Sequence, residues 1–209
     1  MRKAILLLPL SLSPVYAIGF WGSLGGGLNI GGFGEVRFTE DGDIVIVKTS
    51  PEDFIAGMNL MGGVSLQPIP IAVGLGVDYY AGTQKYDWIM VFKDSLEVKR
   101  TYIKLPVAYQ LSLPVLKGYF GIYPAYALYS VKGKGEPDST RTDFKGLAFG
   151  GFVNLYFSLG FTGLGGGIFF DYGPSFKGRS KPDNTDVYIN NVFHYGINLG
   201  LLVSLGVFE

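Results

Sequence analysis

Along most of this chain, apolar residues recur at every second position. In 18–34, Phe20, Leu24, Leu28 and Ile30 share one parity, while Trp21, Ser23, Gly25, Gly27 and Asn29 share the other. A period of two is that of a β-strand, whose side chains leave by alternate faces. The rule holds on both sides of Gln67-Pro68-Ile69-Pro70. Met58, Leu60, Val64 and Leu66 alternate with Asn59, Gly63 and Ser65; Ile71, Val73, Leu75, Val77 and Tyr79 alternate with Ala72, Gly74, Gly76 and Asp78. Proline donates nothing to a ladder, so the two prolines mark a turn between two strands. Ile103, Leu105, Val107, Tyr109 and Leu111 then oppose Lys104, Ala108, Gln110 and Ser112, with a turn expected in 113–118 and a returning strand over 119–131. Leu147, Phe149, Val153, Leu155 and Phe157 oppose Ala148, Gly150, Asn154 and Ser158, with a turn in 160–163 and a return over 164–172. The last arm sets Tyr195, Ile197, Leu199, Leu201, Val203 and Leu205 against Gly196, Asn198, Gly200, Ser204 and Gly206. Three hairpins and two terminal arms predict eight strands.

Charge sharpens the picture. The alternating stretches 18–34, 54–84, 101–131, 146–176 and 187–209 carry only Asp78, Lys104, Lys117, Asp171 and Glu209; beyond Lys3, the other charges gather in 35–53, 85–100, 132–145 and 177–186. Only 16% of the residues are charged and 15% are aromatic, so the outward strand positions hold Leu, Val, Ile, Phe and Tyr where a water-soluble sandwich would carry charge. Each arm is long enough for the roughly 9–11 residues of a tilted membrane strand. The predicted fold is all-β, an eight-stranded antiparallel up-and-down transmembrane β-barrel. Short turns and both termini belong at its periplasmic end, and the long charged connections outside the cell. Two of those connections read as extensions of the wall, one turning at Glu40-Asp41-Gly42 and one running from 88–92 into a turn at Lys93-Asp94-Ser95; 133–140 and 177–186 read as irregular.

The first residues supply an address. Arg2 and Lys3, an apolar run over 4–12 and Val15-Tyr16-Ala17 predict a cleaved export signal over 1–17 and an outer-membrane β-barrel domain over 18–209. The run is too short to span a bilayer and is interrupted by Pro9. The expected location is the outer membrane of a Gram-negative bacterium. With no cysteine, disulfide and zinc–thiolate chemistry are excluded, and 17 basic against 17 acidic groups give no reason to expect nucleic acid. No cofactor or metal is expected.

The segment Tyr102-Ile103-Lys104-Leu105-Pro106-Val107-Ala108-Tyr109 resembles the aromatic-to-Leu-Pro strand of the small eight-stranded outer-membrane barrels, the OmpA/OmpX-like and PorT-like barrel-domain superfamily. The stretch from Phe170-Asp171-Tyr172-Gly173 to Leu199-Gly200-Leu201 is similar to the last hairpin of that group. The chain departs from the group at its end, Val207-Phe208-Glu209, where an aromatic terminus is usual; Asn198, Gly200, Val203 and Leu205 match a looser form of that assembly signal. The resemblance implies the barrel assembly machinery as a partner.

Eight strands enclose a space that their own side chains fill. The polar lumen candidates are Asp78, Lys104, Gln110, Asn154, Asp171 and His194, beside Trp21, Asn59, Met61 and Asn198. They are expected to form a hydrogen-bonded plug; the alternative is a narrow porin-like channel for small or apolar solutes. The single histidine, His194, falls about opposite Asp171, but Tyr195 and Gly196 follow it and Ser204 lies far down the strand. With no nucleophile in reach, no catalytic residue is assigned, and a lipid-modifying outer-membrane enzyme is the third reading. Counting across the hairpin brings Asp78 nearer Gln110 than Lys104, so no Asp78–Lys104 contact is expected. The Gly runs at 25–27 and 165–167 sit inside strands, unlike phosphate loops. The extracellular candidates are the aromatics Tyr86, Trp88, Phe92 and Phe144 and the cations Lys85, Lys99, Arg100, Lys132, Lys134, Lys177, Arg179 and Lys181. Their expected partners are outer-membrane lipid and lipopolysaccharide, or a surface partner. Tyr79, Tyr109, Tyr126, Phe149, Phe157, Tyr172 and Tyr195 read as interfacial girdle. The expected role is structural, or cell-surface interaction through the extracellular hairpins.

Overall fold

A computed structural model describes residues 17–40, 43–51, 53–67, 69–88, 93–137, 140–180 and 185–206. The expected signal segment, the Glu40-Asp41-Gly42 turn and Phe208 fall wholly or partly outside the described residues. Ten strand segments follow in order: β1 (Ala17–Glu40), β2 (Asp43–Pro51), β3 (Ile55–Gln67), β4 (Ile71–Trp88), β5 (Lys93–Lys104), β6 (Val107–Leu113), β7 (Leu116–Gly133), β8 (Thr142–Leu159), β9 (Thr162–Ser180) and β10 (Asp186–Gly206). β2 and β3 are two parts of one wall between β1 and β4. β5 and β6 are likewise one wall between β4 and β7. They are divided at Leu105-Pro106 because proline has no N–H for the ladder. Backbone bonds continue past it: Gly74 N–H donates to the Pro106 carbonyl at 3.0 Å and Leu105 N–H to that of Pro124 at 3.0 Å. Eight walls result, all antiparallel, and β10 pairs with β1 from Gly19↔Gly206 to Phe38↔Val187, which closes the barrel. Closure leaves no open sheet edge for a bilayer to meet.

At one end the walls are joined by short turns, as between Leu113 and Leu116 and between Leu159 and Thr162. At the other end the hairpins are long. Two expectations change there. The β4–β5 ladder runs to Asp87↔Lys93, so Lys93, Asp94 and Ser95 are strand residues of β5 and not the turn expected there. Within the stretch 177–186, Lys177 to Ser180 belong to β9 and Asp186 to β10, with Arg179 paired to Asp186, so the described part of it is largely ordered strand and not irregular.

The exterior is apolar around the whole circumference, with Phe20, Leu60, Leu75, Ile103, Ile122, Leu155, Ile168 and Leu199 all exposed. The expected girdle residues Tyr79, Tyr109, Tyr126, Phe149, Phe157, Tyr172 and Tyr195 also point outward and are exposed. Ile122 is 70% exposed in the middle of the β7 wall. Ile122→Arg is therefore expected to lower unfolding free energy by about 2–4 kcal/mol in a denaturant titration of the protein in lipid vesicles, whereas Lys99→Arg, on an exposed polar position, leaves it unchanged.

The interior is packed by large rings that fit over glycines of neighbouring walls. A Cβ on Gly57, Gly121, Gly150 or Gly196 would collide with the ring of Tyr80, Phe152, Tyr123 or Phe169 respectively. The glycine-rich composition thus makes room for aromatic fill rather than for a water-filled bore. Toward the long hairpins the inward parity shifts by one residue. In β9 it passes from Phe169, Asp171 and Gly173 to Phe176 and Gly178 across exposed Pro174 and Ser175, with the matching register shift in β8 between Lys145 and Phe149. In β10 it passes from His194 and Val192 to Ile189 across Asn191, which has φ 52°. These bulges turn Phe176 and Ile189 inward, where with Phe33, Val98 and Phe144 they form an apolar layer.

Candidate functional site

Midway along the barrel, four walls bring charge to the axis. Lys104, the last residue of β5, reaches Asp78 of β4 at 2.5 Å and Asp171 of β9 at 3.4 Å, and all three side chains are almost wholly buried. Tyr123 of β7 completes the group. Lys104 Nζ donates to the Tyr123 hydroxyl at 2.8 Å, and that hydroxyl donates to Asp171 Oδ1 at 2.6 Å. Both distances are those of charge-assisted bonds. The ammonium also lies 4.1 Å from the Tyr123 ring centroid and 5.3 Å from that of Phe169, within reach of cation–π attraction. The Asp78–Lys104 contact corrects the expectation that the two stay apart. Asp78 pairs in register with Tyr102, and Lys104 stands opposite Gly76, whose missing side chain leaves its path clear.

One level nearer the long hairpins lies a second polar layer. The Tyr102 hydroxyl and His194 Nδ1 are 2.7 Å apart, and the imidazole stacks on Tyr129 with ring centres 5.9 Å apart. Asp171 does stand opposite His194 in the β9–β10 register, yet its hydrogen bond goes to Tyr123 and no Asp–His pair forms. Arg100, expected on the extracellular surface, is 1% exposed inside the barrel. Its parity explains this: on β5 the even-numbered Val98, Arg100, Tyr102 and Lys104 all face inward. Its Nη1 donates to the carbonyl of Gly31 at 3.3 Å, the guanidinium lies 5.6 Å from the Tyr129 ring centroid, and Gln84 donates to the same carbonyl at 3.1 Å. Gly31 has φ 129°, a conformation open to glycine, and this sharp departure from the strand lets one carbonyl serve two inward donors.

Asn154 is buried on the inward face of β8, and Asn59 and Asn198 flank the charged group. Gln110 faces inward at the short-turn end, half-buried, and donates to Ser112 at 3.0 Å. Asp78 Oδ1, Asp171 Oδ2 and Asn59 Nδ2 have no hydrogen-bond partner among the described residues. The cavity beside them, lined by Asn59, Met61, Asp78, Lys104 and Tyr123 among others, measures about 10 Å³, the space of a single water.

On the outer surface, Lys99 and Lys134 are exposed. Lys132 is half-buried and pairs with Glu97 at 3.2 Å. Lys177 meets Asp186 at 2.6 Å, and Arg179 lies 3.9 Å from the same carboxylate. The hydrogen bond from Lys177 holds the Asp186 carboxyl below the usual carboxylate range. Phe144, expected as an external aromatic, is buried in the apolar layer, since the even positions of β8 face inward. Phe92, Lys181 and the side chains of Tyr86 and Trp88 lie outside the described residues. Sequence reasoning missed Tyr102 and Tyr123. In 119–131 aromatics occupy both parities, so hydrophobicity alone does not tell the inner face from the outer.

No protein-family model and no curated protein matches the chain. Among solved structures it is similar to neisserial surface protein A, at 11% identity and TM-score 0.53, over 88% of this chain and 96% of that one. It is likewise similar to a major outer membrane protein of Thermus thermophilus, at 15% identity and TM-score 0.55, over 90% of this chain and 99% of that one. The likeness is one of fold, that of a small outer-membrane barrel.

Proposed function

We propose that this integral outer-membrane β-barrel is a closed one, non-enzymatic, whose role is structural or is carried out by contacts at its extracellular end. The filled interior carries this reading. Trp21, Tyr119 and Tyr156 occupy the axis near the short turns, the Lys104 group the middle, and Phe33, Val98, Phe176 and Ile189 the far end. A cavity of about 10 Å³ beside Lys104 admits one water, not a hydrated ion or an organic solute. The non-enzymatic reading is supported by His194, which is enclosed by Tyr102 and Tyr129 and 1% exposed, so no substrate reaches it.

Planar-bilayer recording on refolded protein, first shown to be a barrel by its heat-dependent gel shift, tests the proposal. The expected trace is silent in molar salt for the wild type and for Gln110→Ala. Steady, discrete current steps would replace this reading with the narrow channel, and Asp78 and Lys104 would become its selectivity residues.

A further inference from the structure

The upper limit of the apolar exterior is unusual on one side of the barrel. Crossing from β7 to β10, one row of outward residues reads Leu128, Lys145, Lys177 and Tyr188, each paired in register with the next. Below it the wall is apolar or aromatic at Tyr126 beside Leu147 and at Phe149 beside Tyr172, all exposed, and is interrupted at the bulges by exposed Ser175 and Asn191. Above it comes a row of Ser130, Asp143, Arg179 and Asp186. The Lys145–Lys177 row therefore lies where lipid chains end and headgroups begin.

Two lysines directly opposite each other on adjacent antiparallel strands repel, with Cβ atoms about 4.5–5.5 Å apart. Lys177 is relieved by Asp186 at 2.6 Å and by the Tyr188 ring, 5.7 Å from its Nζ. Lys145 is exposed and has no ionic or hydrogen-bonded partner among the described residues. Asp143, the nearest acid along its strand, binds Arg141 at 3.0 Å. In front of the pair lies a concavity of about 530 Å³ lined by Leu128, Asp143, Lys145, Lys177, Arg179 and Asp186 among others. Its lining holds three cations and two carboxylates. Since Asp143 already meets Arg141 and Asp186 meets Lys177, the charge left over is that of Lys145, on the strand beside Leu128, which matches the junction of an acyl chain with a phosphate.

We propose that Lys145 and Lys177, with Arg179 one row above, form a site on the lipid-facing wall for the phosphate of an outer-leaflet lipid whose chains lie against Leu147 and Phe149. A phosphate dianion placed between the lysines turns their repulsion into two charge-assisted contacts. The site depends on the membrane placement of the barrel and not on whether the lumen conducts. It selects, from cations scattered around the long hairpins, a compact group that includes Lys145.

The test uses refolded protein in phosphatidylcholine nanodiscs doped with bisphosphorylated lipid A or with the same lipid A dephosphorylated, and native mass spectrometry to count retained lipid adducts. Wild type is expected to retain the bisphosphorylated form at least about tenfold better, as befits a hydrogen bond to a charged group. Lys145→Gln/Lys177→Gln should retain both forms equally, while Lys99→Gln, two walls from Lys145 and three from Lys177, behaves as wild type; the gel shift confirms folding of each. Equal retention of both forms by wild type, or a phosphate preference that survives the double substitution, overturns the site. Displacement of the lipid by excess inorganic phosphate would reassign it to small anions and equally overturn the proposal.

Discussion

Lys104→Met is expected to lower the unfolding free energy of the barrel by about 3–5 kcal/mol, the cost of leaving buried charge without its partner. Two carboxylates, Asp78 and Asp171, share this one ammonium, and the Tyr123 hydroxyl loses the donor it accepts from. The effect is not a measure of what the group contributes to stability. Desolvating three charges consumes much of the Coulombic gain, so replacing all of them together is far milder. Lys104→Met/Asp78→Asn/Asp171→Asn should recover to within about 1–2 kcal/mol of wild type. Urea titration in lipid vesicles, followed by gel shift and tryptophan fluorescence, measures both. A single variant as stable as wild type would mean that the carboxylates find other compensation. A triple variant no better than the single would mean that the cluster organises the packing around it.

What the sequence discloses and what it hides have the same source. Alternation is a local property, and the eight walls, the short turns and the outward girdle follow from it wherever one face is apolar and the other small or polar, as in Ile71–Asp78. Contacts across the barrel depend instead on register, which accumulates error at each turn. Placing the β4–β5 turn at Lys93-Asp94-Ser95, where the ladder still runs with Lys93 opposite Asp87, displaces every partner, and that displacement sets Asp78 beside Gln110 when its true opposite is Tyr102. The apolar run at 88–92 carries no glycine or proline, so the sequence offers no turn signal ahead of Lys93. Arg100 is hard to place for a related reason. It belongs to a charge-rich connection, and only the inward parity of β5, continued down to Lys104, shows that it enters the barrel. The bulges at Pro174-Ser175 and Asn191 are equally silent in a simple alternation, because each changes parity without breaking the strand.

Gly150→Leu is expected to prevent the heat-resistant folded form from appearing at all. Gly150 faces inward on β8 opposite Tyr123 in register. A Cβ there would sit 2.5 Å from the Tyr123 ring carbon Cζ and 2.5 Å from the Phe170 carbonyl oxygen. The carbonyl belongs to the wall and cannot swing aside, so the ring must move. Overpacking of this kind costs about 1–3 kcal/mol for small additions, which sets the scale for Gly150→Ala. With leucine the ring is expelled, and with it the hydroxyl that links Lys104 to Asp171; each buried charged partner left unsatisfied adds about 1–3 kcal/mol more. The sum approaches the whole stability of an ordinary domain, about 5–15 kcal/mol. Gly26→Ala is the matched control: it lies on the outward face, where the nearest atom to its Cβ is 3.7 Å away, so it should fold as wild type. The gel shift after refolding into vesicles separates the cases. A folded Gly150→Leu barrel would show that the Tyr123 ring has another place to go, and hence that the interior is looser than its packing implies. That outcome would weaken the case for a sealed lumen, because the ring that blocks the axis at Lys104 would then be able to leave it.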